Sequence, residues 1–288
     1  MTSNNQADVD LSGKTIIVTG ANSGIGKFAA RGLASMGASV TMVARSRERG
    51  EKALKEVQTA SGSNNVRLML CDLSSQVSIR EFAAAFESEN DRLDVLLNNA
   101  GSNYFKRHES VDGLELTFAL NHMGYFVMTN LLLNIIKASA PARIVNVSSD
   151  EHRVDRIAFD DLQREQDYGT NVYAETKLMN VLFTYDLARR LEGTGVTVNT
   201  MHPGFSRTNF GRRDNGFLGK FFVPVASLFG RSPERGAETA IYLASSPEVE
   251  GVTGKYFVDK QAVPSVDLSY DEAVQARMWE ASEAALIR

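Results

Sequence analysis

Seven short runs rich in β-branched and aliphatic residues recur along the chain with helix-length segments between them, and this alternation restricts the fold more than any other feature. The runs are Thr15 to Val18, Ser39 to Val43, Val66 to Leu70, Asp94 to Leu97, Arg143 to Val147, Val196 to Thr200 and Lys255 to Val258. Several are almost wholly apolar, as strands are when helices cover both faces of a sheet. Strands joined through helices of ten or more residues pair in parallel through right-handed crossovers. The expected architecture is α/β, a doubly wound parallel sheet of about seven strands with helices on both faces. Between the first two runs, Ile25, Phe28, Ala29 and Leu33 fall on one helical stripe. No Pro/Ser-rich linker, low-complexity tract or repeat interrupts the pattern, so one domain is expected over 14–288 after a polar tail at 1–13.

The first strand runs directly into Thr19-Gly20-Ala21-Asn22-Ser23-Gly24-Ile25-Gly26, which opens the first helix. Glycines there let backbone approach a pyrophosphate closely, and a helix N-terminus offers free N–H groups and partial positive charge to the anion. Placed after the first strand of such a sheet, this turn predicts dinucleotide binding and hence a Rossmann fold. An NAD-specific sheet carries a carboxylate at the end of its second strand, but here that strand ends Val43-Ala44-Arg45. A guanidinium at this point suits the 2′-phosphate of NADP, so NADP(H) is expected in preference to NAD(H). The alternative is that Arg45, Arg47 and Arg49 are solvated charges at a helix start. Asp72 and Leu73 close the third strand, where Asp72 could accept from the adenine amino group. Asn98, Asn99, Ala100 and Gly101 close the fourth, where small and amide-bearing residues let backbone approach the ribose or tie neighbouring strands.

Ser148 and Ser149 end the fifth strand at the same carboxyl edge. Tyr173 and Lys177 stand four residues apart at the start of a helical pattern running to about Leu191, which puts phenol and ammonium on one face, about 5–6 Å apart at Cβ. Carbonyl reduction needs a proton donor at the substrate oxygen while hydride reaches the carbon, and alcohol oxidation needs the reverse. A phenol is too weak at its ordinary pKa of about 10, so the ammonium of Lys177 and an oxidised nicotinamide are expected to lower it. Ser149 could polarise the same oxygen, and Lys177 could hold the nicotinamide ribose.

Taken together, these residues resemble the short-chain dehydrogenase/reductases from Lys14 to the C-terminus. The match runs through TGANSGIG (19–26), DL (72–73), NNAG (98–101), Asn121 in NHMGYF, NVSS (146–149), YAETK (173–177) and HPG (202–204) with Thr208 beyond. The resemblance implies a catalytic tetrad of Asn121, Ser149, Tyr173 and Lys177, with Asn121 supporting a water relay to Lys177. It also implies that Pro203, Gly204, Ser206 and Thr208 flank the nicotinamide, that Arg45 marks NADP(H) preference, and that the chain forms a homodimer. Within the family it is most similar to the retinol dehydrogenase branch, through ANSGIGK, APARIVNVSS followed by His152, and the ending GKYF…MWEASE. A lipid-like or retinoid-like aldehyde or ketone is the substrate class this implies. Asp150 and Glu151 are more acidic than a retinoid pocket would suggest, and Ser206 stands where an aliphatic residue is usual.

Composition narrows the partners. Lys plus Arg number 31 against 35 Asp plus Glu, a formal charge of −4 that does not attract a nucleic acid backbone. Cys71 is the single cysteine, so no intrachain disulfide or cysteine-held metal is expected. Its expected place is a small buried position at a strand end. The opening MTSNNQADVD shows no signal or anchor, and a cytoplasmic protein is expected. The apolar stretch Phe217 to Phe229 is shorter than the roughly 20 residues a membrane span needs, and it contains Lys220 and Pro224. A substrate lid, a peripheral membrane contact and ordinary core are its three readings. Asn103, Tyr104, His152, Phe205 and Phe210 are the other candidates for pocket walls, while Trp279 reads as packing. The reading from another class is an NADPH-binding regulator or scaffold without turnover.

Overall fold

The structure, a computed structural model, describes residues 9–169, 171–204 and 232–287. Eight strands form one sheet in the order β3-β2-β1-β4-β5-β6-β7-β8. They are β1 (Thr15–Thr19), β2 (Ser39–Ala44), β3 (Val66–Leu70), β4 (Val95–Asn98), β5 (Ala142–Val147), β6 (Val196–His202), β7 (Tyr256–Val258) and β8 (Gln261–Val263). The seven anticipated strands pair in parallel, with β1 between β2 and β4. The eighth, antiparallel strand is a departure from the expected seven. It returns through a two-residue turn in which Asp259 (φ 50°) and Lys260 (φ 65°) both adopt the left-handed conformation. Such hairpin turns usually carry Asn-Gly or Asp-Gly, and the short, largely exposed Gln261–Val263 has no apolar run, so sequence gave no signal for it.

Helices α1 (Gly24–Ser35), α2 (Arg47–Ser61) and α3 (Gln76–Glu89) follow the first three strands. A broken helix follows β4: α4 (Leu116–Phe118), a π-helical turn (Ala119–Met123) and α5 (Gly124–Leu131). Then come α6 (Leu133–Ala138), α7 (Asn171–Arg190), α8 (Pro233–Ser245) and α9 (Glu272–Ala284). Period-two alternation in the strands sends side chains to two separate cores. Ile16, Val18, Val40, Met42, Leu97 and Val145 pack with α1, α2 and α8, whereas Ile17, Val43, Leu96, Ile144 and Val198 pack with α3, α5 and α7. The helices α1 and α8 approach so closely that a Cβ on Gly32 would lie 2.6 Å from Ile241 Cδ1.

α7 begins and ends close to where the sequence pattern places it, but it is not amphipathic. Every residue from Val172 to Ala188 is buried, because α9 covers the side turned away from the sheet. Trp279 of α9 packs on Phe126 and Phe183, with ring centroids 5.0 and 5.8 Å away, in the packing role expected for it. Cys71 is buried, and desolvation pushes its thiol up to about 12, as befits a packing residue. Among the described residues no helix is long and apolar enough to cross a membrane.

Candidate active site

The site assembles at the carboxyl edge of the sheet, where β1 has β2 on one side and β4 on the other and the connections diverge. At the end of β1, Gly20 has φ +66°, and a Cβ there would lie 2.9 Å from Ala100 Cα. A Cβ on Gly26 would lie 2.4 Å from Asn99 Nδ2 and 2.7 Å from Gly20 O. Only glycine fits either place. Gly24 also has a positive φ, 54°. Ser23 is the N-cap of α1 with extended backbone, and its hydroxyl makes no capping bond. With Ile25 and Gly26 in the first turn, the open N–H groups of α1 form a cradle that fits a pyrophosphate.

The NNAG segment acts mainly as a tie. The backbone N–H groups of Asn99 and Ala100 donate to Thr19 Oγ1 at 2.8 and 3.0 Å, and Asn99 Nδ2 donates to Thr19 O at 2.7 Å. Of the two readings open for this segment, strand-tying is the one Asn99's side chain serves. Asn98 reaches Thr129 and Asn146 in the buried layer between β4 and β5. Arg45 and Asp72 meet at the ends of β2 and β3, with 3.5 Å between Arg45 Nη1 and Asp72 Oδ2. Both are about half exposed or less, and a surface pair of this kind contributes roughly 0–1 kcal/mol. Asp72 Oδ1 also accepts from the backbone N–H and hydroxyl of Ser74, while Leu73 is buried.

The four residues of the implied tetrad converge on the same edge. Asn121 lies inside the π-helical turn, a wider form that recurs where a helix is interrupted for function. Its Oδ1 accepts from Ser102 N at 2.8 Å, and its Nδ2 donates to Ser102 O at 2.9 Å and Thr176 Oγ1 at 3.1 Å. Thr176 in turn donates to Tyr173 O. Gly101 passes between two of the four: a Cβ there would be 3.2 Å from Asn121 Oδ1 and 3.3 Å from Lys177 Nζ. The Ser149 hydroxyl is near enough to the Tyr173 phenol to favour its ionised form, and Ser149 Oγ accepts from Glu151 N. Lys177 Nζ donates to Val147 O at 3.0 Å and stands 5.5 Å from the Tyr173 ring centroid. Ser148 Oγ donates to Lys177 O, fixing α7 against the end of β5.

In the protein alone, burial sets the proton affinities of Tyr173 and Lys177. Burial dominates and raises the Tyr173 phenol well above its ordinary value, with the Ser149 hydrogen bond lowering it and the Glu151 carboxylate raising it to lesser extents. Burial also lowers Lys177 to about 7, so near neutral pH the ammonium is held much less firmly than a surface lysine's. The protein alone therefore keeps the phenol protonated.

The sign of the Lys177 shift predicts a pH effect on stability. Between about pH 7 and 10.5 the unfolded chain holds this proton and the folded chain does not, so stability rises with pH across that window. Without cofactor, Lys177→Met is expected to be more stable than the parent at about pH 6, with the margin shrinking at about pH 9. Urea unfolding at the two pH values checks this, and an unchanging margin would contradict it.

Pro203 and Gly204 follow β6, Gly204 with φ +78°. Phe205, Ser206, Thr208, Phe210 and the 217–229 segment lie outside the described residues. His152 does not line a pocket. It is fully buried, with Nδ1 2.7 Å from Ser149 O and a ring contact to Tyr256, because a short 3₁₀ turn after Ser149 folds it inward. Tyr104 is largely buried, and its carbonyl accepts from Tyr168 Oη. Asp150 is drawn to Arg153 and is largely exposed, so its charge turns outward. Sequence reasoning missed Ser102 and the tying roles of Thr19, Ser148 and Thr176. Thr176 alone carried a signal, its place one helical turn from Tyr173. A groove of about 1020 Å³ occupies the opposite, amino edge of the sheet. Its Arg143 guanidinium is committed to the carbonyls of Leu243 and Ser246, and none of the tetrad lines it.

Residues 14–216 match the model of the short chain dehydrogenase family. The chain is 44% identical to retinol dehydrogenase 14 of Homo sapiens, over 95% of this chain and 86% of that protein. A solved structure of an uncharacterized protein from Mycobacterium Paratuberculosis aligns at a TM-score of 0.77 and 29% identity, covering 97% of this chain and 96% of that one. The Pseudomonas aeruginosa RhlG/NADP active-site complex aligns at 0.68 and 29%, covering 86% and 95%. The chain belongs to the short-chain dehydrogenase family. Within it, the chain stands in the retinol dehydrogenase-like branch and is an oxidoreductase that acts on an alcohol or carbonyl group.

Proposed function

We propose that the protein is an NADP(H)-dependent oxidoreductase in which Tyr173 is the acid/base for interconversion of an alcohol and an aldehyde or ketone. The observation that carries this reading is the burial of Tyr173 and Lys177 one helical turn apart beside Ser149, with Lys177 held on Val147 O and the backbone of Gly101 against Lys177 and Asn121. When bound, the reduced nicotinamide supplies a hydride to the carbonyl carbon. The donor set suits such a cofactor: glycines where a Cβ would collide, a Ser23 hydroxyl without a capping partner, and Arg45 at the end of β2.

In the reductive direction the substrate oxygen sits against Ser149 Oγ and Tyr173 Oη. Ser149 polarises it by donating a hydrogen bond, and Tyr173 delivers its proton as the C–O π pair becomes an alkoxide. Burial keeps the phenol protonated, so the proton is in place, and its release depends on the charge of Lys177. Lys177, held on Val147 O, has two further N–H donors for a ribose hydroxyl, and its charge favours the phenolate left behind. Asn121, clamped on Ser102 and Thr176, fixes the turn beside Lys177. In the oxidative direction the positive charge of the oxidised nicotinamide adds to that of Lys177 and favours the phenolate, which takes the alcohol proton. A lipid-like aldehyde or ketone, retinal among them, is the substrate class favoured by the similarity to retinol dehydrogenases.

Arg45 sets the cofactor preference in this reading. Over a panel of lipid aldehydes, steroids, quinones and small carbonyls, the protein is expected to consume NADPH faster than NADH. Arg45→Asp is expected to weaken NADPH binding by about 10–100-fold, the worth of a charge-assisted contact. Equal use of the two cofactors by the parent protein would contradict the role of Arg45. No consumption of either with any carbonyl would contradict the enzyme reading.

A further inference from the structure

Two buried histidines join catalytic segments to the C-terminal part of the chain. His122 directly follows Asn121 in the π-helical turn, and its Nε2 lies 2.7 Å from Ser282 Oγ on α9. The Ser282 hydroxyl spends its one hydrogen on Met278 O. His122 Nε2 therefore carries the proton and donates it to Ser282. The imidazole also neighbours Asn180, one turn beyond Lys177 on α7, and stacks on Phe118 at 5.6 Å. His152 is the second tie. Val266 N donates to its Nε2 at 3.3 Å, so its Nδ1–H faces and donates to Ser149 O at 2.7 Å. Burial lowers both imidazoles to about 4, which keeps each neutral and its tautomer fixed near neutral pH.

The C-terminal segment is itself firmly seated. Gln76 at the start of α3 clasps it with two bonds, Nε2 to Ala285 O and Ile287 N to Oε1. Trp279 meets the Phe126 ring edge-to-face at 5.0 Å and has the Arg190 guanidinium 3.8 Å from its ring centroid. A π turn interrupts the regular i→i−4 ladder, so the position of Asn121 depends on tertiary support more than it would in an unbroken helix.

We propose that residues 264–287 act as a positioning strap for the active site. Ser282, through His122, holds the π turn that carries Asn121, and Val266, through His152, holds the carbonyl of Ser149. The strap sets turnover and leaves cofactor affinity alone. Ser282 and His122 are thus positioning residues, a role that rests on the catalytic reading above. Misplacing a reacting group by about 1 Å can cost up to about 100-fold in rate, so a single lost tie is expected to cost about tenfold.

The test uses the full chain with Ser282→Ala and Ser282→Thr. Alanine leaves the His122 Nε2–H without its acceptor, whereas threonine keeps a hydroxyl. Ser282→Ala is expected to lower kcat about tenfold, with KM for the carbonyl and Kd for NADPH unchanged within about twofold; Ser282→Thr should recover most of the rate. Independently of turnover, amide hydrogen exchange over 119–124 should quicken about tenfold in the alanine variant, with the remote helix α2 unchanged. Parental kcat and exchange in Ser282→Ala would overturn the proposal. So would a uniform loss, in which kcat, cofactor affinity and exchange throughout the chain change together. If the parent protein turns over no carbonyl, the catalytic reading fails on that result, and the exchange at 119–124 still decides whether Ser282 holds the turn.

Discussion

Tyr173→Phe is expected to bind NADPH with a Kd within about twofold of the parent and to lose about 10²–10⁴-fold in kcat, the usual contribution of a positioned acid/base. Phenylalanine fills the same buried space on α7, so the change removes only the hydroxyl that Ser149 contacts. The other members of the constellation keep their own anchors: Lys177 on Val147 O, and Asn121 on Ser102 and Thr176. Cofactor fluorescence titration and steady-state rates on one preparation separate binding from chemistry. A variant within tenfold of the parental rate would remove Tyr173 from the mechanism.

Gly26→Ala is the second substitution with a large expected effect, and it acts on binding. The new methyl would meet Asn99 Nδ2 at 2.4 Å and Gly20 O at 2.7 Å. Neither neighbour can yield freely. The Asn99 amide holds Thr19 O, and Gly20 is already in the left-handed conformation, with no room for a Cβ against Ala100. Relief has to come from opening the turn, which moves the first N–H groups of α1 away from where a phosphate would lie. Affinity for NADPH is expected to fall at least about 100-fold, with a stability loss of about 1–3 kcal/mol from overpacking. Isothermal titration and urea unfolding measure the two losses separately, and unchanged affinity would show that the turn does not carry the phosphate.

Much of this was legible in the chain. Apolar runs at β1, β2, β4 and β5 stood out because helices cover both faces and most of their residues are buried, whereas β3 is buried only at Val66. β8 lacked both an apolar run and a glycine at its turn. The glycine turn and the four-residue interval from Tyr173 to Lys177 are local patterns, readable from spacing alone. Asn121 came only through family resemblance, since its π turn and its ties to Ser102 and Thr176 depend on segments distant in sequence.

His152 shows the same limit. It stands three residues from Ser149 and suggested a pocket wall, but a 3₁₀ turn folds it into the core. The burial that raises the Tyr173 phenol in the protein alone was not legible, because spacing reveals the charge of Lys177 and hides the packing around both. α7 lacks an apolar stripe for a related reason: its outward side is closed by α9, which lies roughly a hundred residues further along the chain.

The central claim is transfer of hydride between nicotinamide and a substrate carbon. Its most direct measurement uses NADPH deuterated at the transferable position of the nicotinamide, incubated with the protein and a carbonyl it consumes, retinal being the first choice. One deuterium is expected on the carbinol carbon of the alcohol product, with labelled alcohol forming about 10²–10⁴-fold more slowly when Tyr173→Phe replaces the parent. Alcohol formed without deuterium at that carbon, or label retained in the cofactor while the carbonyl disappears, would contradict it.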